Sequence, residues 1–181
     1  MLRITAGKYR GRRVITDKQL AARPTMSIVR EAIFNILLSR KELRDSNVLD
    51  LFCGSGALSF EAISRGSKHA FMVDSDYYNL QLPKKTADSL GITDKTTLIC
   101  CSADNLPQPI SQCDIVFIDP PYNSNLVEST LNGLAHSGWL NDDALIVLEI
   151  QKNEDFQYYK NFSVVLERIY GTAKVLFLAK A

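Results

Sequence analysis

Apolar residues along this chain follow two periods. Short apolar runs bounded by turn residues mark strands buried on both faces. Stretches whose apolar residues recur every three or four positions mark helices. Residues 47–52, 69–74, 96–101, 114–119 and 144–149 read as strands. Helices are predicted from Gly54-Ser55-Gly56 to about residue 65, on to Leu90 after the second strand, and over about residues 126–135. Upstream, Arg23-Pro24-Thr25 opens a helix to about Ser39, with Ile28, Val29, Ala32, Ile33, Ile36 and Leu37 as its apolar side. At both ends of the chain the period is two. Residues 2–6 and 12–16 flank Gly7 and Gly11, and residues 164–170 and 173–179 flank Gly171, so each pair reads as a β-hairpin.

Strands that alternate with helices form a parallel sheet covered on both faces. Right-handed crossovers make it doubly wound, with a strand order beginning 3-2-1-4-5. The predicted architecture is α/β: a doubly wound, Rossmann-like, mostly parallel sheet whose last strand is antiparallel in a C-terminal hairpin. An N-terminal hairpin and helix extend it. The 181 residues amount to one domain, with residues 1–40 as the extension and 41–181 as the core. In this order the first and fourth strands meet at the switch point, and ligands bind beyond their carboxyl ends. Chemistry is therefore expected just after Asp50 and just after Asp119.

Hydrophobic residues make up 46% and charged residues 23%, which excludes collagen-like, disordered and coiled-coil chains. No apolar run approaches the roughly 18 residues that span a bilayer, and the first residues carry no signal-peptide core. A cytoplasmic protein with no membrane partner is expected. The net charge of +1 conceals an asymmetry. Residues 1–30 hold eight basic residues against one acid, Asp17; the rest of the chain holds 13 basic and 19 acidic residues. A basic arm on a mildly acidic body suits a polyanion. Lys8-Tyr9-Arg10-Gly11-Arg12-Arg13 interleaves an aromatic with cations, which suits phosphate pairing and base stacking. Lys8, Arg10, Arg12 and Arg13 are thus candidate nucleic-acid contacts, with a solvated basic surface as the competing reading.

Cys53, Cys100, Cys101 and Cys113 show no C-x-x-C spacing, and only His69 and His136 could join them. Reduced, structural thiols and no metal site are expected, with Cys100-Cys101 as strand core. The two histidines lie near no Ser or Cys motif, so no hydrolase triad is expected. Trp139 reads as core.

The loop after the first strand runs Asp50-Leu51-Phe52-Cys53-Gly54-Ser55-Gly56-Ala57-Leu58. Glycines let the backbone turn sharply and let a ligand approach. The dinucleotide fingerprint G-x-G-x-x-G needs a third glycine where Ser59 stands. Asp50 beside the loop repels a pyrophosphate and welcomes a cation, such as the ammonium of an amino-acid moiety. That favours S-adenosylmethionine over a nicotinamide dinucleotide. Asp74, 20 residues after Gly54, is placed to hold ribose hydroxyls. Asp104, after the third strand, is placed to accept from an adenine amino group, or to cap a helix.

The fourth strand ends in Asp119-Pro120-Pro121-Tyr122. Two prolines stiffen the turn and remove two donors, so its carbonyls stay where they are placed. Asp119 and the Pro120 carbonyl can accept both hydrogens of an exocyclic amino group while Tyr122 stacks on the base. Such an amine is a poor nucleophile because its lone pair is delocalised into the ring. Two acceptors draw the nitrogen towards tetrahedral geometry and free the lone pair. This is positioning and electrostatics rather than covalent catalysis.

With Ile4-Thr5-Ala6-Gly7-Lys8-Tyr9-Arg10-Gly11-Arg12, Arg23-Pro24-Thr25 and Val29-Arg30-Glu31-Ala32-Ile33-Phe34-Asn35, these motifs span nearly the whole chain. The chain resembles the bacterial 16S ribosomal RNA guanine-N2 methyltransferases of the class I, S-adenosylmethionine-dependent fold. The resemblance implies that Asp50, Phe52, Gly54, Gly56, Asp74 and Asp104 line the cofactor pocket. Asp119, Pro120, Pro121 and Tyr122 would hold a flipped guanine. Thr25 and Arg30 would lie by the pocket mouth, or serve as helix cap and surface charge. Met26-Ser27 departs from the polar residues the family carries after Arg-Pro-Thr. The implied partner is 16S ribosomal RNA in the small subunit or its assembly intermediate, met by a monomer. Methylation of another exocyclic amine, such as adenine N6, and a non-catalytic RNA-binding assembly factor are the alternatives. A chain of 181 residues leaves no room for a separate DNA-recognition domain.

Overall fold

A computed structural model describes residues 1–17, 25–121, 125–154 and 160–181, and of Thr25 and Met26 the backbone alone. The elements are α1 (Thr25–Arg40), β1 (Asn47–Leu51), α2 (Ala57–Ser64), β2 (His69–Asp74), α3 (Gln81–Leu90), β3 (Thr96–Cys100), β4 (Cys113–Ile118), α4 (Leu126–His136), β5 (Leu140–Gln151), β6 (Phe162–Tyr170) and β7 (Ala173–Lys180). The sheet order is β3-β2-β1-β4-β5-β7-β6, so the predicted 3-2-1-4-5 core is present. The five core strands pair in parallel. β7 is antiparallel to both neighbours and inserts between β5 and β6.

Alternate strand residues serve two cores. Val48, Met72, Ile115, Phe117 and Val147 face one that also takes Phe34 and Leu37 of α1 and Phe60 of α2. Leu49, Leu51, Val73, Ile118 and Leu148 face the other, with Leu131 and Leu134 of α4. Trp139 is fully buried in this second core, its indole N–H donating to the Pro107 carbonyl at 2.8 Å. Strand period and sheet position together decide these burials, and position overturns one expectation. Cys100 is exposed and Cys101 half-buried, because β3 is an edge strand. Cys53 and Cys113 are buried, and burial pushes both thiols upward, away from the reactive thiolate. On α1, Ile28 points outward, unlike Val29, Ile33 and Leu37.

The N-terminal hairpin is looser than its alternation suggests. A single bridge joins Arg3 and Arg13. Ile4 N–H donates to the Arg12 carbonyl and Val14 N–H to the Leu2 carbonyl, both at 3.0 Å. Other backbone donors leave the ladder for the core's helices. Thr5 and Ala6 N–H donate to the Glu61 carboxylate at 2.9 and 3.0 Å, and Ile15 N–H to Thr86 Oγ1 at 3.0 Å. Ile4 and Val14 are buried in the first core, so the arm is packed rather than free.

Candidate active site

The carboxyl ends of β1 and β4 lie side by side, with Leu51 opposite Ile118 in the parallel ladder. Asp119 is thus one residue beyond this pair on β4, and Phe52 one residue beyond it on β1. Neighbouring strands are about 4.8 Å apart. The acid-Pro-Pro turn and the glycine loop therefore share one edge of the sheet, as the switch-point argument requires. Asp119 is half-buried, Pro120 buried and Pro121 exposed. Tyr122 lies outside the described residues.

Three residues of the β1–α2 loop have positive φ: Phe52 at 66°, Gly54 at 50° and Gly56 at 73°. For a bulky aromatic this conformation is strained, and such strain gathers at binding sites. Phe52 is half-buried and leans on the second core, which holds it there. A Cβ at Gly54 would meet nothing within 4 Å, so the loop opens onto free space. A Cβ at Gly56 would lie 2.9 Å from the Phe60 ring and 3.1 Å from Met72 Sδ. One glycine thus opens the loop and the other packs the helix against the sheet.

Asp50 is 2% exposed and points towards α2, where Ser59 Oγ donates to its Oδ2 at 2.6 Å. Burial pushes the Asp50 carboxyl up to about 7, against the pull of the Ser59 hydrogen bonds and with a contribution from Asp74. No basic side chain bonds it among the described residues. A buried acid beside a second acid, held by a serine, is a site a cation would relieve. The residues present therefore fit the amino-acid end of S-adenosylmethionine.

Asp74 is 9% exposed, and its carboxylate fastens the neighbouring loops. It accepts Gly54 N–H at 3.1 Å, Asp76 N–H at 2.9 Å and Asn79 Nδ2 at 3.2 Å. A carboxylate offers about four lone-pair positions, so one remains for a ribose hydroxyl. Asn79 is a partner that pattern reading had no means to find. Asp104 is exposed and accepts from Ser102 Oγ. Its backbone passes so close to α4 that a Cβ at Gly133 would overlap the Asp104 carbonyl.

Arg30 does not stand at a pocket mouth or on the surface. It is 4% exposed, its Nη2 donates to the Arg3 carbonyl at 2.7 Å, and its Nε lies 3.5 Å from Glu61 Oε2. Burial lowers its pKa, and Glu61 opposes the fall. Glu61, fully buried on α2, also takes Thr5 Oγ1 at 2.7 Å and Arg65 Nε at 2.9 Å. Arg65, four residues on, is a pair that helix spacing allows, but the other partners of Glu61 lie 56 residues away at Thr5 and 31 away at Arg30, beyond the reach of sequence reading. Thr25 begins α1, and its side chain lies outside the described residues.

Lys8, Arg10, Arg12 and Arg13 are exposed, but at the other edge of the sheet. Lys8 N–H donates to the Ser64 carbonyl at 2.7 Å and Arg12 Nη2 to the Ser89 carbonyl at 2.9 Å, at the far ends of α2 and α3. At about 1.5 Å per residue, α2 carries the arm tip roughly 12 Å from the glycine loop. Tyr9 is half-buried against the first core, with the Lys8 ammonium 5.4 Å from its ring centroid. Its expected stacking face is thus already engaged.

A sheet of this order, with a glycine loop after β1 and an acid-Pro-Pro turn after β4, is the architecture of the class I S-adenosylmethionine-dependent methyltransferases. Within that class, residues 2–179 match the family described as Conserved hypothetical protein 95, and the chain belongs to that family. It is 34% identical to the Haemophilus influenzae ribosomal RNA small subunit methyltransferase D, over 94% of this chain and 89% of that one. An uncharacterised methylase of Rickettsia prowazekii is 30% identical over 98% of this chain and 97% of its own. The solved structure of Escherichia coli yhhF superimposes with a TM-score of 0.84 at 33% identity, covering 98% of this chain and 97% of that one.

Proposed function

We propose that this chain methylates the exocyclic N2 of a guanine in 16S ribosomal RNA, using S-adenosylmethionine. The observation that carries the reading is the juxtaposition of Asp119-Pro120-Pro121 with the Asp50–Gly56 loop at the switch point. The full-length likeness to the Haemophilus small-subunit methyltransferase supports ribosomal RNA as the substrate. Asp50, Phe52, Gly54, Gly56, Asp74 and Asp104 line the cofactor pocket in this reading. S-adenosylmethionine, when bound, supplies a methyl group activated on a sulfonium.

Asp119 and the Pro120 carbonyl accept the two hydrogens of the guanine amine. Their pull draws the nitrogen towards tetrahedral geometry and exposes its lone pair. The nitrogen grows acidic as it is methylated, so its departing proton passes to water and Asp119 need not act as a base. Pro121 keeps the turn stiff, and Tyr122 stacks on the flipped base. The protein acts as a monomer in the cytoplasm, on the small subunit or its assembly intermediate. Among the described residues no helix is long and apolar enough to cross a membrane.

The test is transfer from labelled S-adenosylmethionine to unmodified small-subunit particles, followed by nucleoside analysis. N2-methylguanosine at one position is the expected product. Label on adenosine would move the substrate. Bound cofactor with no transfer to particles, naked RNA or DNA would favour a non-catalytic assembly factor.

A further inference from the structure

The end of α1 and the turn before β1 enclose an open groove of about 470 Å³, lined by Arg40, Lys41, Glu42, Arg44 and Arg65 among others. Four cations face one acid there. Two of the four are committed: Lys41 Nζ lies 2.7 Å from Asp143 Oδ2, and Arg65 is held by Glu61. Arg40 and Arg44 are exposed and make no ion pair or side-chain hydrogen bond among the described residues. The end of α2 that brings Arg65 to the groove also seats the basic arm. Lys8 N–H donates to the Ser64 carbonyl at 2.7 Å, and Asp45 N–H to the Gly66 carbonyl at 3.1 Å. The groove and the arm tip therefore form one basic surface, at the sheet edge opposite Asp119.

We propose that the groove of Arg40 and Arg44 is a second RNA contact, which binds the phosphodiester backbone of the substrate away from the reacting base. The inference rests on the RNA reading above. Guanidinium forks match phosphate oxygens two at a time. Exposed guanidinium forks continuous with Lys8 and Arg10 suit a chain of phosphates better than a lone anion. The α2 helix separates this surface from the glycine loop by about 12 Å. A nucleotide held at Asp119 cannot reach it, so the substrate must extend over both edges. The competing role is local: cations at the C-terminal ends of α1 and α2 offset the negative ends of those helices.

The experiment measures binding of a folded target RNA to the full chain across a salt series, for wild type and Arg40→Gln/Arg44→Gln. A single Arg44→Glu variant, on an exposed turn, guards against a misfolded double variant. Each lost phosphate contact lowers the salt slope by about 0.7–0.9, so the double variant should lose about 1.5 units of slope and about tenfold in affinity. KM for RNA should rise, and cofactor affinity should hold. Unchanged slope and affinity, with a lowered Tm, would mean the arginines only cap helices. Poly-glutamate competing as well as RNA would give the groove to an acidic protein and overturn the proposal. A wild type that binds no RNA would overturn the RNA reading as well, which separates the two failures.

Discussion

Ser59 holds Asp50: its hydroxyl donates to the buried carboxylate at 2.6 Å. The residue that breaks the dinucleotide fingerprint thereby holds the buried acid that precedes the glycine loop. Burial, against the pull of Ser59, pushes the Asp50 carboxyl up to about 7.

A free aspartate has a pKa of about 3.9, so between about pH 4 and 7 the folded chain holds a proton at Asp50 that the unfolded chain has released. The stability this proton contributes is full below about pH 4 and is lost as pH rises through 7. Asp50→Asn should therefore gain Tm relative to wild type between pH 5 and 8. Identical pH profiles would mean that Asp50 does not carry the shift. Binding of S-adenosylmethionine should release close to one proton at pH 6, read by calorimetry in buffers of different ionisation enthalpy.

Asp119→Ala should leave cofactor affinity unchanged and lower methyl transfer by about 10²–10³-fold or more, the range for removing one preorganised polar partner. Asp119→Asn keeps an acceptor oxygen and should retain far more activity than the alanine variant. Equal loss in the two would assign Asp119 a proton-transfer role instead.

Glu61→Ala strands two cations, the buried Arg30 and the half-buried Arg65, and frees the Thr5 and Ala6 amides. Removing one side of a buried ion pair costs about 3–5 kcal/mol. Urea unfolding should show a loss of that order. Hydrogen exchange should show Thr5 and Ala6 deprotected ahead of β1.

Gly133→Ala places a methyl group against the Asp104 carbonyl, and that backbone must shift. Overpacking of this kind costs about 1–3 kcal/mol. If Asp104 lines the cofactor pocket, KM for S-adenosylmethionine should rise more than kcat falls. A loss of Tm with KM unchanged would detach Asp104 from the cofactor.

Changing Arg10, Arg12 and Arg13 to alanine should weaken RNA binding and lower its salt slope by about 2–3 units. Affinity and slope that both stay put would leave the arm as a solvated basic surface.

The α/β alternation, the switch point and the loops on it were legible because each depends on residues close together in the chain. Apolar period separates strand from helix, and glycine and proline restrict their own backbone. The arm's charge was equally plain, but its position was not. Lys8 and Arg12 seat on Ser64 and Ser89, more than fifty residues downstream, and these contacts move the cations to the far edge. Arg30 shows the same limit. In the sequence it is one more cation on a helix, and only the packing of α1 against α2 reveals its carboxylate partner.

By itself, the sequence determined which segments become strands and helices, the order of the core sheet, and the residues present at the carboxyl ends of β1 and β4. Tertiary structure alone decided that β7 inserts beside β5, that β3 leaves Cys100 exposed, that Arg30 is buried, and that the basic arm and the acid-Pro-Pro turn occupy opposite edges. The division has a physical cause. Local periodicity acts over a few residues, whereas hydrogen bonds and burial between distant segments depend on which surfaces the folded sheet brings together.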